Sequence, residues 1–189
     1  MEIWSSGAAF AAVHSGLASR PCKRWAAARG ISPQAWRLGY SVLAVFLTFL
    51  WLSWVRGLPN APAWHVHGAG AAALIVLQSI GVGIVALSLK AIDVPAFLGL
   101  RPDAHPDADF VERGIYRHMR HPMYTGVMLA LAASPVQTVN SLHLLGVVSA
   151  YFIIGARLEE RRMLAEHPEY ADYQRRVPAF IPRLAGKRG

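Results

Sequence analysis

Charged residues are scarce in this chain. Asp, Glu, Lys and Arg make up 16% of the 189 residues, against about 25% in a soluble domain. With 54% apolar residues beside it, that shortage excludes an ordinary water-soluble surface. Cysteine is nearly missing too. Cys22 is the single one, so no disulfide can form within the chain, and it reads as a small apolar side chain near an interface. No basic residue precedes the first apolar run, where a secretory leader would carry them. Lys and Arg also avoid two of the loops. Of 19 in all, only Arg56 falls between the second and third apolar runs, and none falls at the break in the last.

The apolar residues that are present lie in blocks, several near the roughly 20 residues that cross a bilayer. The first is "IWSSGAAFAAVHSGLAS", residues 3–19, read as a retained span. The second runs over about 38–55 and the third over 69–89, rich in Gly and Ala that let helices approach closely. The last covers 123–156 and is broken at "SPVQTVNS". Pro135 and its polar neighbours do not continue a lipid-exposed helix, so a two-helix hairpin with a short first helix is expected. The remaining basic residues cluster at 20–37, 90–120 and after Arg157. That split obeys the positive-inside rule. The fold expected is an all-α polytopic membrane bundle of about five spans, N-terminus outside and C-terminus cytoplasmic. One domain is expected, with N-terminal spans in 1–107 and a motif-bearing core in 108–184. The net charge of +8 is then an orientation signal and does not point to nucleic acid. Gln78 reads as interhelical glue, and His65 and His67 as an outer-loop pair without a metal.

Two segments flank the hairpin on the inner side: "FVERGIYRHMRHPMYTG" and "ARLEERRMLAEHPEYADYQRRVPAFIPRL". Folding the hairpin brings His121 toward Glu159. Pro122 suits the first turn of a helix. The free N–H groups of that turn, with Arg120, form a site for an anionic group. Glu159 and Glu160 offer the opposite sign nearby. Cation and anion together suit a zwitterion such as an amino-acid moiety.

Gly114, Tyr116, Arg120, His121, Pro122, Tyr124 and Gly126, then Glu159 and Glu160, then Tyr170, Tyr173, Val177, Pro178, Ile181 and Pro182 form an ordered pattern around the hairpin. It resembles the isoprenylcysteine carboxyl methyltransferase family and its bacterial relatives over roughly residues 108–184. The stretch "HSGLASRPCKRW" resembles, more loosely, methanethiol S-methyltransferase-like and NnrU-like membrane proteins. The resemblance implies S-adenosylmethionine held on the cytoplasmic side. Its contacts would fall on Asp109, Phe110, Val111, Tyr116, His121, Pro122, Met123, Tyr124 and Glu159, with Arg120 and Glu160 beside them. It also implies a bacterial inner-membrane location and a lipophilic or small-molecule methyl acceptor: a thiol, a carboxylate or a phospholipid amine. Eukaryotic members hold a substrate carboxylate with an Arg one turn before the matched Glu. Gly155 stands there here and Arg157 is offset by two, which points to a different acceptor. Arg157 and His14 are the candidate substrate contacts, and His14 or His118 the candidate base for a thiol. Two other readings are a reductase of the sterol-reductase type and an NnrU-like haem-binding or non-catalytic membrane protein. Met123 and Val127 occupy places where the reductases carry Asn and an acid. His14 and His143, the candidate haem ligands, fall at different depths.

Overall fold

The computed structural model describes residues 1–102 and 110–182. Helices dominate. α1 covers Glu2–Ala18, α2 Arg20–Ala27, α3 Pro33–Gly57, α4 Gly68–Ala91, α5 Val94–Leu98, α6 Pro122–Ala132, α7 Val139–Glu166 and α8 Tyr170–Arg176. A 3-10 turn spans Gly114–Arg117, and the short strands β1 Pro62–His65 and β2 Val136–Thr138 pair into a two-stranded sheet. The expected spans coincide with α1, α3, α4 and the α6–α7 hairpin. Among the described residues α3, α4 and α7 are long and apolar enough to cross a membrane; α6 is a shorter apolar helix. This is an all-α integral membrane architecture.

Local sequence sets the helix ends. Ser32 caps α3, its hydroxyl accepting from the Ala35 N–H at 3.1 Å, with Pro33 in the first turn. Asp93 caps α5 through Ala96 N–H at 3.3 Å, and Gly99 ends it at φ 81°, a backbone region that suits glycine. Pro122 opens α6, as the sequence led us to expect. The break before α7 is held by Gln137, 1% exposed, whose amide donates to the carbonyl of Leu131 at 2.8 Å. That buried side chain satisfies a carbonyl at the end of α6, a requirement in a setting without water.

The chain forms two compact units, interleaved along the sequence. The first comprises residues 1–62, 93–106 and 138–147. There Ile3, Val55 and Val147 pack together with Trp51 and Leu58 against them. Trp4 Nε1 donates to His143 Nδ1 at 3.0 Å and Trp51 Nε1 to the Ser6 hydroxyl at 3.0 Å. Val42, Val45, Phe46 and Phe49 of α3 recur at helical spacing and stay exposed, a stripe suited to lipid.

The second unit comprises residues 63–92, 107–137 and 148–189. Its centre is the crossing of α4 and α6. A Cβ placed on Gly126 would lie 2.6 Å from the Gly81 carbonyl oxygen, and one on Gly81 would lie 2.7 Å from that of Gly126. The backbones therefore touch, the close approach that small residues permit in membranes. Gln78 adds a bond from its amide to the Ala130 carbonyl at 2.9 Å, the glue role read from the sequence.

Candidate functional site

The motif "RHP" meets the end of α7 and the C-terminal segment within the second unit. Arg120 and His121 bond through their backbone to the tail: their N–H groups donate to the carbonyls of Pro178 and Ala179, each at 2.9 Å. The Thr125 hydroxyl donates to the Phe180 carbonyl at 2.9 Å. Polar groups near a membrane must find partners inside the protein, and here the tail supplies them.

Arg120 is consumed by this arrangement. Its side chain is 8% exposed. Nε donates to Glu160 Oε1 at 2.8 Å and Nη2 lies 2.7 Å from the same oxygen. Nη1 donates to the carbonyls of Gln174, at 3.0 Å, and Val177. The fork of five donors that distinguishes Arg from Lys is thus spent on a carboxylate and two helix-end carbonyls. In this geometry Arg120 holds the tail in place.

Glu160 is the common acceptor. It also takes His121 Nε2 at 2.8 Å, and its second oxygen takes the Gln174 amide at 2.9 Å. Against an ionised carboxylate, His121 carries its proton on Nε2, leaving Nδ1 as an acceptor in the neutral ring. The two adjacent glutamates divide the work. Glu159 receives the Tyr124 hydroxyl at 3.3 Å, a long bond that leaves the carboxylate able to take stronger donors. The Tyr124 ring stacks on His121, centroids 5.5 Å apart, and on Phe152 at 4.4 Å. Phe180 closes over His121 at 5.5 Å.

A second cluster braces the tail. Tyr170, Tyr173 and Val177 are buried with Phe110 and Met163 against them. Phe110 stacks on Tyr173 at 4.9 Å and meets Tyr170 edge-on at 4.8 Å. Tyr173 donates its hydroxyl to the Tyr116 carbonyl at 2.6 Å. Burial, with the Glu160 charge second, pushes the Tyr170 hydroxyl up to about 12. Burial and then Glu159 raise Tyr116, and burial first of all raises Tyr173. All three stay protonated at neutral pH.

Of the residues singled out in the sequence, Phe110, Tyr116, Arg120, His121, Pro122, Tyr124, Glu159 and Glu160 are thus brought into one unit with Val111 and Met123. Asp109 lies outside the described residues. Arg157 is exposed, and Gly155, where the eukaryotic enzymes carry Arg, has open space around it. His118 is exposed just past the 3-10 turn. His14 belongs to the first unit. There the Tyr40 hydroxyl lies 2.9 Å from its Nε2 and Phe10 stacks on it at 5.6 Å. Sequence reasoning missed Gln174, whose amide and carbonyl both join the network. The signal available was its place one turn after Tyr170 on the amphipathic tail helix.

The site fits a zwitterionic cofactor by its donor set. The N–H groups of Met123 and Tyr124, in the first turn of α6, have no acceptor within the helix, and no side chain caps that turn. They are available to an anion. Glu159 is available to hydroxyls or an ammonium, and the Tyr124–Phe152 stack offers a π face to a planar or cationic group.

A family model described as "NnrU protein" matches residues 3–185. Methanethiol S-methyltransferase 2 of Bradyrhizobium diazoefficiens is 34% identical over 95% of the chain and 71% of its own length. Methanethiol S-methyltransferase of Mycobacterium tuberculosis is 34% identical over 92% of the chain and 74% of its own. A cobalt-zinc-cadmium resistance protein of Cupriavidus metallidurans is 36% identical over 42% of the chain. No solved structure matches.

Proposed function

Since the chain belongs to the NnrU protein family, we infer that it is an integral membrane methyltransferase that transfers a methyl group from S-adenosylmethionine to a small thiol. The relatives named methanethiol S-methyltransferase, alike over nearly the whole chain, support the reaction class. The observation that carries the site is the division of labour between two neighbouring carboxylates. Glu160 is locked by Arg120, His121 and Gln174, while among the described residues Glu159 has only the long bond to Tyr124.

In this reading the N–H groups of Met123 and Tyr124 hold the amino-acid carboxylate, and Glu159 takes hydroxyl or ammonium donors. The cofactor, when bound, supplies an electrophilic methyl on a sulfonium. The chain's own task is alignment and exclusion of water, which together can be worth about 7–11 kcal/mol. The tail does both: Phe180 covers His121, and the Arg120 fork fixes the carbonyls of Gln174 and Val177 against Glu160 of α7. A thiol must lose its proton to react; exposed His118 is the base candidate in this unit. Arg157 remains the candidate for the acceptor side in this unit, while His14 stands in the first unit. The positive-inside pattern supports a cytoplasmic site in a bacterial inner membrane.

The experiment is calorimetry with S-adenosylhomocysteine on the detergent-purified chain, paired with turnover across alkanethiols of increasing length. Glu159→Gln should weaken binding about tenfold or more, because a bond to a charged group is worth roughly 1.5–3 kcal/mol. Binding unchanged in Glu159→Gln and His121→Ala together would remove the cofactor assignment. The relatives' names favour the shortest thiols. A second reading, a lipophilic acceptor entering from the bilayer, is favoured by the short α6 and predicts turnover that rises with chain length.

A further inference from the structure

We propose that Phe152 is a positioning residue of the donor site: through the ring of Tyr124 it fixes the Glu159 carboxylate for the methyl donor. The proposal rests on the reading of Glu159 as a donor contact. Phe152 belongs to neither buried cluster of the fold. It is half-buried, and its ring faces Tyr124.

Phe152 and Glu159 stand two turns apart on one face of α7, about 10.5 Å along its axis. Helical side chains lean toward the N-terminus, so the Glu159 carboxylate is carried back over the turn of Gly155 and Ala156, toward Phe152. That turn leaves room for it, since a Cβ on Gly155 would meet nothing within 4 Å. Tyr124 of α6 touches both residues. Its ring lies on Phe152 with centroids 4.4 Å apart and planes 10° from parallel. Its hydroxyl donates to Glu159 Oε2 at 3.3 Å.

The hydroxyl bond does not hold the ring, because it is longer than the usual O–H···O range of about 2.5–3.0 Å. The neighbouring rings do. His121 lies on the other side of Tyr124, centroids 5.5 Å apart and planes 1° from parallel, and Phe180 follows at 5.5 Å. Phe152, Tyr124, His121 and Phe180 thus form one column from α7 across the first turn of α6 to the tail. Its His121 end is pinned to Glu160 at 2.8 Å, and Phe152 stands at the other. Without that wall the Tyr124 ring can tip, and its hydroxyl leaves Oε2. Glu159 Oε1 has no hydrogen bond among the described residues, so the carboxylate then turns without restraint. Binding a ligand to it must first order it again, which lowers affinity.

The test uses the full chain in detergent, with S-adenosylhomocysteine binding read by calorimetry and methanethiol turnover measured beside it. Phe152→Leu should weaken binding about tenfold and raise the KM for S-adenosylmethionine alike, with kcat within about threefold of wild type. Phe152→Tyr keeps the stack and should hold affinity within about twofold of wild type. In a Tyr124→Phe background the hydroxyl is already gone, so adding Phe152→Leu should cost about threefold or less. Melting in detergent is followed for every variant. Should Phe152→Leu not fold, Phe152→Met takes its place, removing the ring at similar volume. Unchanged affinity on loss of the ring overturns the proposal. So does an equal loss with and without the Tyr124 hydroxyl, since Phe152 would then act by packing alone. Either result leaves the donor reading standing. A wild-type chain that binds no S-adenosylhomocysteine overturns the donor reading and the proposal together.

Discussion

At the scale of single residues, charge placement separates anchors from contacts. Arg120 is an anchor: its donors end on Glu160, Gln174 and Val177. Arg120→Ala leaves Glu160 partly buried with one strong partner gone, and breaking a buried pair this way costs about 3–5 kcal/mol. Thermal melting in detergent should fall sharply. Arg120→Lys should rescue only part of the loss, because an ammonium cannot serve a carboxylate and two carbonyls at once. Full rescue by Lys would mean that charge alone matters there. The tail tyrosines give a pH signature. The Tyr170 hydroxyl ordinarily titrates near 10 and is pushed up to about 12, so between those values the unfolded chain binds fewer protons than the folded one. Stability is then at its full value below about pH 10 and falls as the pH rises toward 12. Tyr170→Phe should flatten that decline; a decline of the same steepness in the variant would assign it to other groups. Which glutamate does what was the least legible point. "EE" at 159–160 shows two acids one position apart, and the angle between them around α7 decides their partners. Only the docked tail, with Gln174, reveals that Glu160 is the one enclosed.

At the scale of elements, what could be read was what periodicity and punctuation encode. Long apolar runs gave α1, α3, α4 and α7. Pro122 gave the start of α6, and "SPVQTVNS" gave its end. The short strands β1 and β2 were not legible, since four and three residues, Pro62–His65 and Val136–Thr138, are too few to show alternation. Nor was the backbone pairing of "RH" with "PA" in the tail, because such bonds involve no side chain. The α4–α6 crossing allows a direct prediction. Gly126→Ala would drive a Cβ into the Gly81 carbonyl, the Val85 side chain and the Val85 N–H, all within 3.0 Å. The helices must part, at a cost of about 1–3 kcal/mol, and α6 carries the motif on its first turn. Gly83→Ala, on the same helix α4 as Gly81, meets nothing within 4 Å and should leave melting and donor binding near wild type. Equal effects from both would deny that the crossing is backbone-tight.

At the scale of the whole molecule, every Lys and Arg but Arg56 is expected on the same side of the spans as the motif segments. In the proposed orientation that side faces the cytosol, from which a polar donor would arrive, while a small thiol crosses lipid readily. This accounts for a motif rich in Arg and His where an apolar helix begins. A reporter active only in the cytoplasm, fused after Gly189, should give signal; a periplasmic C-terminus would separate the motif from its donor. In the proposed reaction the chain itself transfers the methyl group to a thiol. The measurement that tests it most directly uses purified protein in liposomes, S-adenosylmethionine labelled in the methyl group, and methanethiol, with dimethyl sulfide measured in the headspace. Labelled dimethyl sulfide should form in proportion to protein, and should be lost in Glu159→Gln with the fold intact. Donor bound by the wild-type chain, yet no label on methanethiol or on any longer thiol, would contradict it.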